Sequence, residues 1–191
     1  MKKVVLLAGI ALGLGLGLAA VPGQARQDAA KKAAPPKPAL GPSQALLEEW
    51  NDVGKRLIAM AEDIPEDRYD FKPKPEMRSW VQQVLHAAYG NYYFLNPATG
   101  KPMPQQELPD GQFKTRAEVV AYVKKVYAEG AELIKSKGDA GMAETMQMGR
   151  RMWRFDALAY DLIAHANEHY GQIVVYYRLN GTVPPESRPR K

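Results

Sequence analysis

An all-α four-helix bundle is the fold this sequence predicts, and three observations predict it. Four separate stretches carry apolar residues three and four positions apart, the spacing that gathers them on one face of a helix. Each stretch is bounded by residues that start or stop helices: proline or a capping serine or threonine before it, proline or glycine after it. The connection from Asn96 to Lys114 holds four prolines and two glycines, and long connections of this kind in bundles mark crossovers or the rims of sites. No internal repeat, glycine-rich phosphate loop or strand alternation competes with the helical pattern.

The chain of 191 residues accommodates one domain with appendages. Lys2 and Lys3 precede an uncharged apolar run from Val4 to Val21, and small residues follow at Gly23 and Ala25. That is the layout of a secretory signal spanning residues 1–25, cleaved after Ala25, so the mature chain is expected to be periplasmic or secreted and free of the membrane. The run is also long enough for an uncleaved anchor; its many glycines and the cleavage-site spacing favour removal. Residues 26–42 are alanine, lysine and proline with little to bury, and read as a disordered tether. Without cysteine, an exported chain must rely on a packed core or a metal for stability, and thiolate zinc sites and cysteine nucleophiles are excluded. Loss of the two signal lysines leaves 24 basic against 21 acidic residues, a charge of +3 that is too mild to imply nucleic acid. Arg188, Arg190 and Lys191 read as a solvated tail.

The domain is expected over residues 43–187. Its first helix starts near Ser43 behind Pro42, uses Leu46, Trp50, Val53, Leu57, Ala61 and Ile64, and ends before Pro65. Glu66 to Arg78, with Pro73 and Pro75, is a connection in which Tyr69 and Phe71 plug the end of the core. Ser79 and Gln82 form a capping box that opens a second helix running to about Leu95, before Pro97. Val81, Val84, Leu85, Ala88, Tyr92 and Leu95 make its apolar stripe. His86 lies off that stripe, sharing a face with Gln82, Gln83, Tyr89, Gly90 and Tyr93. Thr115 and Glu118 cap the third helix, which uses Val119, Tyr122, Val123, Val126, Leu133 and Ile134 and stops at Gly138. Asp139 to Arg151 is a methionine-rich connection, with Met142, Met146, Met148 and Met152 as gap fillers. The fourth helix starts between Arg151 and Asp156 and ends around Asn180, with Gly181 as its stop.

The fourth helix carries the chemistry. His165 and His169 stand four apart, one above the other, and form half of a metal site. The chain has only three histidines, and the third, His86, sits on a helix able to face them. Three neutral imidazoles with an open position suit a divalent ion, zinc or nickel. Leu158, Asp161, Leu162, His165, Glu168, His169, Gln172 and Tyr176 share about one third of the helix circumference. Asp161 or Glu168 is placed to hold an imidazole through its second nitrogen, or else to face solvent, and Gln172 to contact a bound molecule. The segment from His165 to His169 also fits the H-x-x-E-H pattern of inverted zinc peptidases. Their third ligand is a glutamate far downstream, and only 22 residues follow His169.

Val84-Leu-His-Ala87, Asp161-Leu-Ile-Ala-His-Ala-Asn-Glu-His-Tyr-Gly-Gln172, Tyr177-Arg-Leu-Asn-Gly181 and Val183-Pro-Pro185 together resemble the DinB/YfiT-like family of metalloenzymes. The resemblance runs from about Ser43 to Ser187 and includes Ile64-Pro65 and Phe71-Lys-Pro73. It implies a four-helix bundle in up-down-down-up order, a divalent ion on His86, His165 and His169, and a homodimer; Gly171 in mid-helix is a further hint of close helix approach. Characterised relatives include thiol-dependent transferases and isomerases and some hydrolases. Export departs from that pattern and argues against a cytosolic thiol as co-substrate.

Two functions follow from the residues. In a metal-dependent hydrolase or transferase acting on a small molecule, the fourth position opens on a pocket lined by Gln82, Tyr89, Tyr93 and Gln172. Glu168, Tyr89 or Tyr93 then assists proton transfer. In a non-catalytic metal-binding or stress-response bundle, a protein ligand such as Glu168 closes the site.

Overall fold

The computed structural model describes residues 39–189. The expected signal, residues 26–38 of the expected tether, and Arg190 and Lys191 lie outside the described residues. In chain order the elements are α1 (Pro42–Asp63), a 3₁₀ turn (Glu66–Arg68), α2 (Trp80–Tyr89), α3 (Tyr92–Ala98), α4 (Arg116–Gly141), β1 (Thr145–Met148), β2 (Arg151–Arg154), α5 (Phe155–Leu179) and a second 3₁₀ turn (Pro185–Ser187). Among the described residues the architecture is mainly helical: α1, α2, α4 and α5 surround one core. No helix there is long and apolar enough to cross a membrane.

α1 packs most extensively on α4, and α2 on α5; α1 also meets α5. The first contact is close because glycines line it. A Cβ on Gly54 would fall 2.6 Å from the Tyr127 ring, and one on Gly130 would fall 2.0 Å from the Trp50 indole. Trp50 is wholly buried and donates its indole N–H to the Tyr127 carbonyl at 2.9 Å, so its polar edge is satisfied inside the core. At the other end Trp80 meets Tyr177 edge-on at 4.8 Å, and the Tyr177 hydroxyl donates to the Met60 carbonyl at 3.2 Å. Phe71 stands 6.2 Å from both Trp80 and Tyr176, and Tyr69 is buried, so the expected plugs are in place.

Both expected capping boxes form, at Ser79 with Gln82 and at Thr115 with Glu118. Gly138, at φ 54°, breaks the regular course of α4 before its last turn. α1 has no side-chain cap of its own. Asp139 supplies one from the end of α4, accepting from the Ser43 backbone N–H at 2.9 Å and its hydroxyl at 2.6 Å.

Three expectations need correction. The second helix is not continuous: it tightens at Gly90 and Asn91, where the Asn91 N–H bonds Ala88 at 3.1 Å and the Tyr93 N–H bonds Gly90 at 3.0 Å, both i to i+3 contacts. α3 then carries on through Pro97, because burial of Phe94 and Leu95 outweighs one missing N–H in its last turn. The methionine-rich connection contains an antiparallel hairpin, Thr145 opposite Arg154 and Met148 opposite Arg151. Gly149 at φ 57° followed by Arg150 makes its two-residue turn, the Gly-X pattern of a type II′ hairpin. Met142 is buried, Met146 and Met148 pack against the core's edge, and Met152 is exposed. Finally, Arg188 is not simply solvated: its guanidinium forks onto Asp63 at 2.7 and 2.6 Å, tying the segment after α5 to the end of α1.

Candidate metal centre

α2 and α5 lie side by side, and this pairing brings the three histidines together. His86, His165 and His169 each offer a nitrogen, all within 4.8 Å of one another. His165 and His169 face each other through Nε2 at 3.0 Å. The His86 ring centroid is 4.7 Å from that of His169 and 5.5 Å from that of His165. The i, i+4 spacing on α5 fixes the first pair. The third ring arrives because α2 buries Val84, Leu85 and Ala88 against the core and turns its polar face along α5.

The outward edges of the rings have different surroundings. Nδ1 of His169 lies 2.6 Å from Nε2 of Gln83, and that amide also donates to Oε1 of Gln172. Gln172 in turn donates to Glu168 at 3.2 Å, so a chain of side chains backs the most buried histidine. A primary amide carries both a donor and an acceptor, so Gln83 can serve either tautomer of the ring. Nδ1 of His165 is buried with no hydrogen-bond partner among the described residues and abuts Gly90: a Cβ there would fall 2.6 Å from its Cε1 and 3.0 Å from its Nδ1. Nδ1 of His86 is likewise buried without a hydrogen bond, although Oε1 of Glu107 stands 3.3 Å away, off the line a hydrogen bond would need. The same oxygen accepts from Arg78 at 2.7 Å.

Electrostatics keep all three rings neutral near pH 7. Burial lowers the pKa of His86, and the Arg78 charge adds to that against the opposing pull of Glu107. Burial lowers His165 despite Glu168 and Asp161 nearby. His169 is pushed down to about 4, by burial first and then by the neighbouring imidazoles. Neutral imidazole is the liganding form. A Nε2-to-Nε2 approach between His165 and His169, ring nitrogens of all three residues within 4.8 Å of one another, and an all-imidazole donor set make these residues fit for a divalent ion.

His86 also lines a cavity of about 860 Å³, whose wall includes Gln82, Tyr89, Arg78, Glu107 and Asp110. Burial raises the Tyr89 pKa, helped by Tyr93 and Glu107, so its hydroxyl keeps its proton.

The DinB superfamily model matches residues 45–173, which include all three histidines. The chain belongs to the DinB superfamily. Two solved structures share its fold: a DinB-like protein from Bacillus cereus (TM-score 0.64, 18% identity, 74% of this chain and 95% of that one) and a DinB-like protein from Bacillus subtilis (TM-score 0.61, 18% identity, 76% and 99%). No curated protein matches the chain.

Within this DinB domain the other expected site residues are scattered around the centre. Gln82 spends its amide on the capping box and on Asp110 at 2.5 Å, while still lining the cavity. Tyr89 lines it too and donates its hydroxyl to the Gln106 carbonyl. Tyr93 is exposed and Gln172 lies behind His169; neither belongs to that cavity wall. Asp161 acts on His165 through charge, with no hydrogen bond to it among the described residues, and Glu168 is engaged by Gln172. Gln83, Glu107 and Arg78 were not singled out from the sequence as site residues. Gln83 had a signal in the face it shares with His86. Glu107 lies in a loop without periodicity, so nothing in the sequence places it.

Proposed function

We propose that this chain holds one divalent ion, zinc or nickel, on His86, His165 and His169. We further propose that it acts as a metal-dependent enzyme of hydrolase or transferase type on a small molecule. The observation that carries the reading is a cluster of three neutral imidazoles beside a cavity of about 860 Å³. An ion on three neutral ligands supplies Lewis acidity for polarising a carbonyl or a water. The chain's own residues do the rest: Gln83 contacts and orients His169, the Tyr89 hydroxyl keeps a proton at the cavity wall, and Arg78 offers donors to a ligand entering there. Metal-dependent turnover in a screen of ester, amide and thiol-transfer substrates, lost in His169→Ala, tests this.

A second reading, a non-catalytic metal-binding or stress-response bundle, is favoured by the Glu168–Gln172–Gln83–His169 chain. That chain already joins α5 to α2, so an ion there would reinforce a structural cross-link. Metal binding with no turnover on any of those substrates favours it.

The remaining features of the reading are an up-down-down-up helix order, export, and a homodimer without nucleic acid as partner. Export rests on the layout of residues 1–25, and N-terminal sequencing should begin near Arg26; an intact Met1 in the membrane fraction favours an anchor instead. The dimer rests on one face of α5, where Gly171 has open space and Val175 and Leu179 are half exposed. Light scattering that finds only monomer at micromolar concentration removes it.

A further inference from the structure

Each imidazole in the cluster needs its proton on the nitrogen turned away from the shared space, and the three rings differ in what enforces this. At its outward nitrogen His169 meets the Gln83 amide, which can serve either tautomer, and among the described residues His165 meets the bare backbone of Gly90 there. His86 has a carboxylate. Oε1 of Glu107 stands 3.3 Å from its buried Nδ1, and no other carboxylate oxygen among the described residues lies within ion-pair distance of a ring nitrogen of the three. That oxygen is held from the other side by Arg78 at 2.7 Å. Arg78 is itself located by α5, since the Tyr176 hydroxyl donates to its backbone carbonyl at 2.8 Å. Glu107 thus reaches back from the long proline-rich connection to the one histidine that sits on α2.

On the three-histidine reading of the centre, we infer that Glu107 is a positioning residue. Its carboxylate accepts a hydrogen bond from Nδ1–H of His86, fixes that tautomer, and presents Nε2 to the space shared with His165 and His169. The side chain of Glu107 is 59% exposed, so it is free to close from 3.3 Å to the 2.7–2.9 Å of a charge-assisted bond. A carboxylate on the distal nitrogen also makes the imidazole a more basic ligand. The arrangement solves a second problem: a lone guanidinium beside three ligands would repel a divalent cation, and Glu107 neutralises it. The proline-rich connection therefore contributes to the centre without donating a ligand.

The test reads the tautomer directly, in metal-free protein, by long-range ¹H–¹⁵N NMR of the His86 ring above its pKa. Free neutral imidazole prefers its proton on Nε2, so a proton mainly on Nδ1 is the expected and diagnostic result. Glu107→Ala should return His86 to the Nε2–H form and weaken zinc binding by about 10–100-fold. Glu76→Ala, which removes another carboxylate from the same cavity wall, should change neither. A wild-type His86 protonated on Nε2 overturns the inference, as does an equal response to the two substitutions. Failure of the three-histidine reading looks different: wild-type protein then binds no zinc, whatever the tautomer.

Discussion

Gly90→Ala separates the fit of the metal centre from the stability of the fold. The new Cβ would meet Cε1 of His165 at 2.6 Å and Nδ1 at 3.0 Å, with the His86 carbonyl at 3.4 Å. Ordinary carbon contacts begin near 3.5 Å, so the ring must retreat by about 1 Å. Ligand constellations tolerate displacements of roughly 0.5 Å, so the ring would be carried out of reach of a shared ion. The expected loss of zinc affinity is about 10–100-fold, or ~1.4–2.7 kcal/mol, the range found when the immediate support of a ligand is removed. Backbone preference works the other way: Gly90 lies between α2 and α3 with φ and ψ in the right-handed helical region, which alanine adopts with about 0.4–1 kcal/mol of gain from a less free unfolded chain. The backbone gain offsets part of the cost of moving the ring, so Gly90→Ala should melt within a few degrees of the wild-type temperature without metal, yet gain much less from added zinc. Calorimetric titration with zinc, paired with thermal melts of metal-free and loaded protein, checks both halves. Unchanged affinity would refute the reasoning, and equal losses of stability in both forms would make Gly90 a packing residue only.

Gln83→Leu removes the polar partner of His169 while keeping the volume, and should cost about 10–100-fold in zinc affinity by titration. Gly130→Ala is the opposite control: its Cβ would sit 2.0 Å from the buried Trp50 ring, so the chain should lose at least ~1–3 kcal/mol in denaturant unfolding while the folded fraction binds zinc normally. The three depressed histidines set a pH window for the metal-free protein. The unfolded chain takes up protons from about 6.5 downward while the folded one resists, His169 until about 4, so stability is fully present above 6.5 and is lost as pH falls toward 4. Thermal melts between pH 7.5 and 4 should show this decline, with a shallower slope for His169→Gln; identical slopes would contradict it.

The helices were legible because their signals are local and redundant. Ser79 with Gln82 and Thr115 with Glu118 announce two starts, Pro65, Gly138 and Gly181 announce three stops, and the i, i+4 rule alone places His165 beside His169. The hairpin escaped because four-residue strands of Thr-Met-Gln-Met and Arg-Met-Trp-Arg are too short and too poor in β-branched residues to stand out. The tight turn at Gly90 escaped for another reason: its purpose is steric and lies on α5, at a ring 75 positions away in sequence. Glu107 and Arg78 meet His86 through tertiary packing of irregular segments, where sequence spacing carries no directional information. His86 was placed off the apolar stripe of its helix, and that offset is what lets it border both the imidazole cluster and the cavity.

The central claim is that His86, His165 and His169 hold one ion together, and metal stoichiometry measured with zinc affinity tests it most directly. Wild-type protein dialysed against zinc should retain about one ion per chain, and His86→Ala, His165→Ala and His169→Ala should each lose it while keeping their helical circular dichroism. Substitution of a single imidazole that leaves both the stoichiometry and the affinity at wild-type values would contradict the account.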